Sequence, residues 1–269
     1  MGHGIGAVKG AGLPQFATAF AEQGYAAVVF DYLHWGQSDG EPRGDLVVSR
    51  ELQDFKDVIA WVRLQPERFD NQRIVAWGSS FGGMHVTALM AQDHDLRAGI
   101  AQCPCVDGTA SSLMLPLVYS LRLGLTAMAD AIGSLFGAKP IYVNLTGDDT
   151  PGAPLSLMRG PEAVSGFKNI EPIDGTTLSN AITARSVLQV LAIRPVRHIH
   201  KSTKPYLLVL PTWDHQASLT AAERAVQEAP LGEALRVEGG HFDLYPNAPA
   251  YQRNLAGQLQ FLKRVFSSE

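Results

Sequence analysis

Cysteine is almost absent. The 269-residue chain has two, Cys103 and Cys105, on either side of Pro104. Thiols that close in sequence are poorly placed to bridge one another, so no disulfide framework is open to the chain. A zinc site, which calls for four ligands at other spacings, is excluded too. Both are expected to be buried thiols at a strand end, and a reducing cytoplasm is the expected compartment. An excess of basic charge is also lacking: the formal net charge is −4 and there is no long basic run. Nucleic acid and anionic membranes are therefore excluded as expected partners. Long apolar runs are missing as well. The most apolar stretch, Leu113 to Phe136, is broken by Pro116, Arg122 and Asp130, which argues against a membrane span. The opening Met1-Gly2-His3-Gly4 has neither the basic nor the apolar region of a signal peptide.

What is present is the composition of an ordinary globule, 46% hydrophobic and 18% charged. A chain of this length buries a core without disulfide or metal. Short apolar runs read as buried strands: Ala26 to Phe30, Arg73 to Trp77, Ala98 to Cys103, Tyr206 to Leu210 and, more weakly, Ala234 to Val237. Between them lie helical patterns at Pro14 to Gln23, Leu46 to Leu64, Gly83 to Ala91, Ala221 to Glu228 and Tyr251 to Phe266. The alternation predicts an α/β fold with a mostly parallel sheet flanked by helices. From Gly108 to His200 no convincing strand is seen. Apolar helical stretches at Leu113 to Phe136 and Asn180 to Ile193 flank a Gly-, Pro- and Asp-rich loop from Thr146 to Gly160. The expected organisation is a core of residues 1–107 and 201–269 with a mostly helical lid insertion, 108–200.

Residues 75–83 read Val-Ala-Trp-Gly-Ser-Ser-Phe-Gly-Gly and pose a choice between two serines. A nucleophile elbow is a strand, a tight Gly-x-Ser-x-Gly turn and a helix, with glycine where a Cβ would collide with a neighbour. Only Gly78-Ser79-Ser80-Phe81-Gly82 fits, so Ser80 is the candidate nucleophile and Ser79 a small turn residue. A serine hydroxyl needs a base, ordinarily a histidine held by a carboxylate. Of eight histidines, His241 in Glu238-Gly239-Gly240-His241-Phe242 follows the last strand and is the candidate. His94, His198, His200 and His215 read as surface residues and His85 as a packing residue of the elbow helix. The acid should follow a strand and precede the histidine. Asp214 does so after Tyr206 to Leu210, with Asp107 as the alternative. An oxyanion hole needs two convergent backbone N–H groups. Phe81, which follows the nucleophile, supplies one. Ile5 in His3-Gly4-Ile5-Gly6 is the candidate for the other.

Together, Gly2-His3-Gly4-Ile5-Gly6, Asp31-Tyr32, Gly36-Gln37-Ser38-Asp39-Gly40-Glu41-Pro42-Arg43, the Ser80 elbow, Asp214 and Gly239-Gly240-His241-Phe242 resemble the α/β-hydrolase superfamily. Within it the chain looks like the dienelactone-hydrolase-like and X-Pro-peptidase-like branch, which includes esterase-like proteins and polyketide transferases or thiohydrolases. The resemblance covers nearly the whole chain. It implies a serine acyl-enzyme mechanism with no metal and no cofactor. It also implies a strand ahead of the His-Gly loop, lying between the Ala26 and Ile74 strands. The sequence starts at the loop itself, so amino-terminal strands are expected to be missing.

The expected reaction is cleavage of a carboxylic ester, lactone or thioester of a small-molecule, medium-sized hydrophobic acyl substrate. Leu113, Met114, Leu115, Leu117, Val118, Leu123 and Leu125 give the lid an apolar lining suited to that substrate. A serine at the elbow argues against dehalogenase or epoxide hydrolase chemistry. No acidic pair stands ready for a substrate amino terminus, which disfavours an X-Pro peptidase. The alternatives are acyl transfer of a polyketide-type group by the same triad, and a non-catalytic binding role on the same fold.

Overall fold

The structure, a computed structural model, describes residues 1–93 and 95–267. His94 lies outside the described residues. Helix α1 (Leu13–Glu22) starts with Pro14 in its first turn and buries Leu13, Phe16 and Phe20. Helix α2 (Val48–Arg63) buries Val48, Glu51, Phe55 and Ile59 on one side, as their spacing dictates. Strand β1 (Val75–Ser79) leads into helix α3 (Phe81–Met90), and strand β2 (Ala98–Gln102) follows. All ten residues of α3 are buried, which is why it reads as apolar all round.

The next segment departs from the expected helical lid. It does hold helices α4 (Gly108–Ser112) and α5 (Leu117–Leu135). It then forms strands β3 (Tyr142–Gly147) and β4 (Ser156–Arg159), helix α6 (Pro161–Asn169), strand β5 (Ala181–Thr183) and helix α7 (Ser186–Ala192). The three strands make a second sheet of order β4-β3-β5, parallel on one side of β3 and antiparallel on the other. The stretch expected as a loop at Thr146 to Gly160 contains β4. The stretch expected as a helix at Asn180 to Ile193 is split between β5 and α7. These strands are three to six residues long and partly exposed, so their apolar signal is faint. Their pairing partners lie far along the chain.

Strand β6 (Tyr206–Pro211), helix α8 (Leu219–Glu228), strand β7 (Gly232–Val237) and helix α9 (Tyr251–Ser267) complete the fold. The main sheet runs β1-β2-β6-β7, all parallel. Strands β2 and β6 are buried along their whole length, as expected for strands covered on both faces. Ala26 to Phe30, expected to be a strand, belongs to no sheet. Its sequence suits a strand, but a strand also needs a ladder. A cavity of about 410 Å³ separates it from β1, lined by residues such as Phe55, Ile59, Val75 and Leu262. Met1 and Gly2 reach across the gap. The Met1 amino group donates to the Val28 carbonyl at 2.7 Å, and Gly2 makes an isolated parallel bridge to Gly78. Among the described residues no helix is long and apolar enough to cross a membrane.

Candidate active site

The elbow is as tight as its glycines require. A Cβ on Gly78 would lie 2.2 Å from the Gly82 carbonyl oxygen, and one on Gly82 would lie 2.4 Å from that of Gly2. Ser80 sits between them at φ 55° and ψ −113°, a conformation that costs a side-chain-bearing residue about 1–3 kcal/mol. Its amide donates to the Gln102 carbonyl at 2.8 Å and its carbonyl accepts from the Cys105 amide at 3.2 Å, so β2 and the segment after it hold the turn.

The imidazole of His241 reaches the elbow from the far end of the sheet. It follows β7, at the start of a 3₁₀ turn over His241–Leu244. Nε2 lies 3.0 Å from Ser80 Oγ and Nδ1 lies 2.7 Å from Asp214 Oδ2. The other Asp214 oxygen accepts from the Gln216 and Ala217 amides at 2.7 and 2.8 Å, a turn that fixes the carboxylate before the histidine meets it. The two loops are also joined, since the Gly239 amide donates to Thr212 Oγ1 at 3.1 Å. His241 is 1% exposed and Ser80 9%. Burial disfavours the imidazolium, but the Asp214 carboxylate and the Cys103 sulfur beside it outweigh burial and set the His241 pKa well above the ordinary value.

Asp107 is engaged elsewhere. One oxygen caps α4 through the Ala110 amide at 3.0 Å, and the other takes two bonds from Arg194 at 2.7 and 2.9 Å. Of the remaining histidines, His198, His200 and His215 are exposed. His85 is buried and bonded to Glu51 at 2.8 Å.

The His-Gly loop lies against the elbow: a Cβ on Gly4 would fall 3.2 Å from that of Ser80. The Ala7 amide donates to the Gly4 carbonyl at 3.1 Å, closing a turn with Ile5 and Gly6 at its centre. Gly6, at φ 71°, supplies the left-handed residue that a type II turn needs. The Phe81 amide opens α3, where first-turn donors have no acceptor within the helix. A Cβ on Gly6 would also meet Leu145 of β3 at 2.1 Å, so the second sheet presses directly on this turn. The Asp31 to Arg43 motif braces the same loop. Asp31 accepts from the Lys9 and Gln37 amides at 2.6 and 2.9 Å, and Arg43 donates to the Gly36 carbonyl at 2.6 Å.

Several residues around the site make contacts that the sequence does not reveal. Ser79 is more than a turn filler: it donates to Tyr245 Oη at 2.7 Å and accepts from Gln102 Nε2 at 3.0 Å. Gln102 in turn accepts from Asn254 and Gln258 of α9. Glu162 of α6 lies beside Gly240 and His241, and burial raises its pKa. No local pattern announces contacts between residues so far apart in the chain. Burial pushes the Cys105 thiol up to about 11. Of the residues expected to line the lid, Leu123 is buried and Leu115 packs against the core, whereas Leu113, Met114, Leu117, Val118 and Leu125 are exposed.

A hydroxyl, an imidazole and a carboxylate in one hydrogen-bonded line can move a proton off the hydroxyl as it attacks an acyl carbon. Residues 7–118 match the family model of the X-Pro dipeptidyl-peptidase (S15 family). The chain is 37% identical to the quorum-quenching protein AidA of Acinetobacter baumannii, over 98% of this chain and 85% of that one. It is 29% identical to the polyketide transferase af380 of Aspergillus fumigatus, over 98% and 88% of the two chains. The crystal structure of the α/β hydrolase GrgF from Penicillium superposes with a TM-score of 0.80 at 25% identity, covering 99% of this chain and 89% of that one.

Proposed function

Because this chain belongs to the α/β-hydrolase superfamily, in its X-Pro-peptidase-like branch, and is an enzyme of hydrolase or acyltransferase type, we propose that it cleaves carboxylic esters, lactones or thioesters through an acyl-enzyme on Ser80. The observation that carries this reading is the unbroken line from Ser80 Oγ through His241 to Asp214, at 3.0 and 2.7 Å. His241 takes the proton as Ser80 Oγ bonds to the acyl carbon. Asp214 holds the ring with Nδ1–H toward itself and stabilises the imidazolium that forms. The carbonyl oxygen gains negative charge, and the amides of Phe81 and Ile5 bind it. His241 then protonates the leaving oxygen or sulfur as the acyl–heteroatom bond breaks. Water, deprotonated by the same imidazole, bonds to the acyl carbon; the bond from that carbon to Ser80 Oγ then breaks, the His241 imidazolium returns the proton to Oγ, and the acid is released.

The substrate we assign is a small molecule with a medium-sized apolar acyl group, covered by the 108–200 insertion acting as a lid. Similarity to proteins named polyketide transferases and a thiohydrolase supports this. Acyl transfer to an alcohol or carbon nucleophile is the second reading. It is favoured by similarity across nearly the whole chain to proteins named polyketide transferases. Two free, buried thiols suit a reducing cytoplasm as its compartment. Mass spectrometry after treatment with a fluorophosphonate tests the proposal. One adduct on Ser80, absent from Ser80→Ala, is expected, together with ester turnover that Ser80→Ala abolishes. A folded protein that takes no adduct, or a Ser80→Ala variant with full turnover, would refute it.

A further inference from the structure

Helix α5 presents solvent with a face unlike a surface. Its inner side buries Leu123, Ala127 and Asp130. On the outer side Leu117, Leu121, Leu125, Met128, Ile132 and Leu135 are each 48–80% exposed. They recur every three or four residues, so at 100° per residue they form one stripe roughly 80° wide and about 27 Å long. Phe136, just beyond the helix, is 83% exposed and widens the patch. Together with Val118 these residues expose a surface on the order of 1,000 Å², most of it apolar. That exceeds the roughly 300–600 Å² patch of a typical monomer and the roughly 800 Å² that each partner gives to a standard interface.

The charge pattern selects the occupant. Arg122 and Asp130 are the only charged residues of α5, and Asp130 is buried against the Ile141 and Arg185 amides. A helix that lies on a membrane carries a polar face rich in Lys and Arg, which α5 lacks. An uncharged stripe can meet a copy of itself with no like-charge penalty, and an isologous contact needs no second surface. The three- and four-residue steps also suit ridges packed against another helix.

We propose that α5 is the seam of a homodimer, packed along its outer face against α5 of a second copy. Analytical ultracentrifugation of the full chain at micromolar concentration tests this. The expected mass is about 58 kDa, twice the 29.0 kDa of one chain. The double variant Leu121→Glu, Ile132→Glu should sediment as a monomer and keep its melting temperature and its turnover of a soluble ester. A wild-type chain that stays monomeric up to about 100 μM would overturn the proposal. So would a double variant that remains dimeric. A monomer that floats with phosphatidylcholine vesicles would overturn it too, and would assign the face to lipid. If the double variant does not fold, Met128→Cys replaces it. That thiol should cross-link two copies under mild oxidation, and its failure to do so counts against the seam.

Discussion

Gly82→Ala is the sharpest test of how the elbow and the proposed oxyanion turn depend on each other. The added Cβ would sit 2.4 Å from the Gly2 carbonyl oxygen and 2.6 Å from that of His3, where 3.0 Å is the closest approach real Cβ atoms make. The strand-like segment at Gly2 and His3 must therefore retreat by at least about half an ångström. It has little freedom to do so, since Gly2 is bonded to the Trp77 carbonyl and the Ser79 amide at 2.9 and 3.3 Å. Ile5 is two residues on from His3, so the shift is carried into the turn that presents its amide. A misplacement approaching 1 Å costs up to about 100-fold in rate, so kcat/KM for a chromogenic ester should fall roughly 10- to 100-fold, or about 1.4–2.7 kcal/mol. Overpacking should also lower stability by about 1–3 kcal/mol. Gly124→Ala is the control. A Cβ there meets nothing within 4 Å, so stability should rise by about 0.5–1 kcal/mol with rates unchanged. A Gly82→Ala enzyme with wild-type kcat/KM and melting temperature would refute the steric reasoning.

Asp214→Asn should lower kcat by roughly 10³- to 10⁴-fold. It should also move the acid limb of the kcat/KM profile to lower pH. The wild-type enzyme needs neutral His241, whose pKa Asp214 raises, so its rate should climb with pH through a value above 6.5; a limb unmoved in the variant would exclude Asp214 as the partner. Asp107→Asn should keep its rate in the same ester assay and lose about 1.5–3 kcal/mol in urea unfolding, because the amide still caps α4 but no longer offers Arg194 a charged acceptor. Tyr245→Phe removes the acceptor of the buried Ser79 hydroxyl, and the same unfolding experiment should show a loss of about 1–3 kcal/mol. Burial holds the His3 pKa below its ordinary value, so below about pH 6.5 the unfolded chain binds the proton first and stability falls. Melting temperature followed from pH 7 to pH 5 should show a steeper fall in wild type than in His3→Gln.

The elbow could be read from sequence because its constraint is local: each glycine is required by an atom within a few residues or on the adjacent loop. Asp214 could be ranked ahead of Asp107 by position alone. What commits Asp107 elsewhere is Arg194, 87 residues away, and no sequence pattern joins the two. The main sheet was legible where strands are buried on both faces. Ala26 to Phe30 shows the limit of that signal, since its composition is that of a strand and its surroundings supply no ladder. The second sheet failed in the opposite way. Its strands are short and depend on partners such as Asn144 with Ala181, which come together only in the fold. Ser79 was undervalued because its two partners, Gln102 and Tyr245, reach it from distant segments.

Leu145 packs onto Gly6, and Gly6 shapes the turn that carries the Ile5 amide. The insertion that would accommodate the acyl group is thus mechanically tied to the group that would stabilise its charge. Divergence of β3 toward a new substrate would drag that amide with it. On the proposed mechanism, a substitution at position 145 that reshapes the acyl site would change the rate as well as the fit, unless residues 4–7 changed with it.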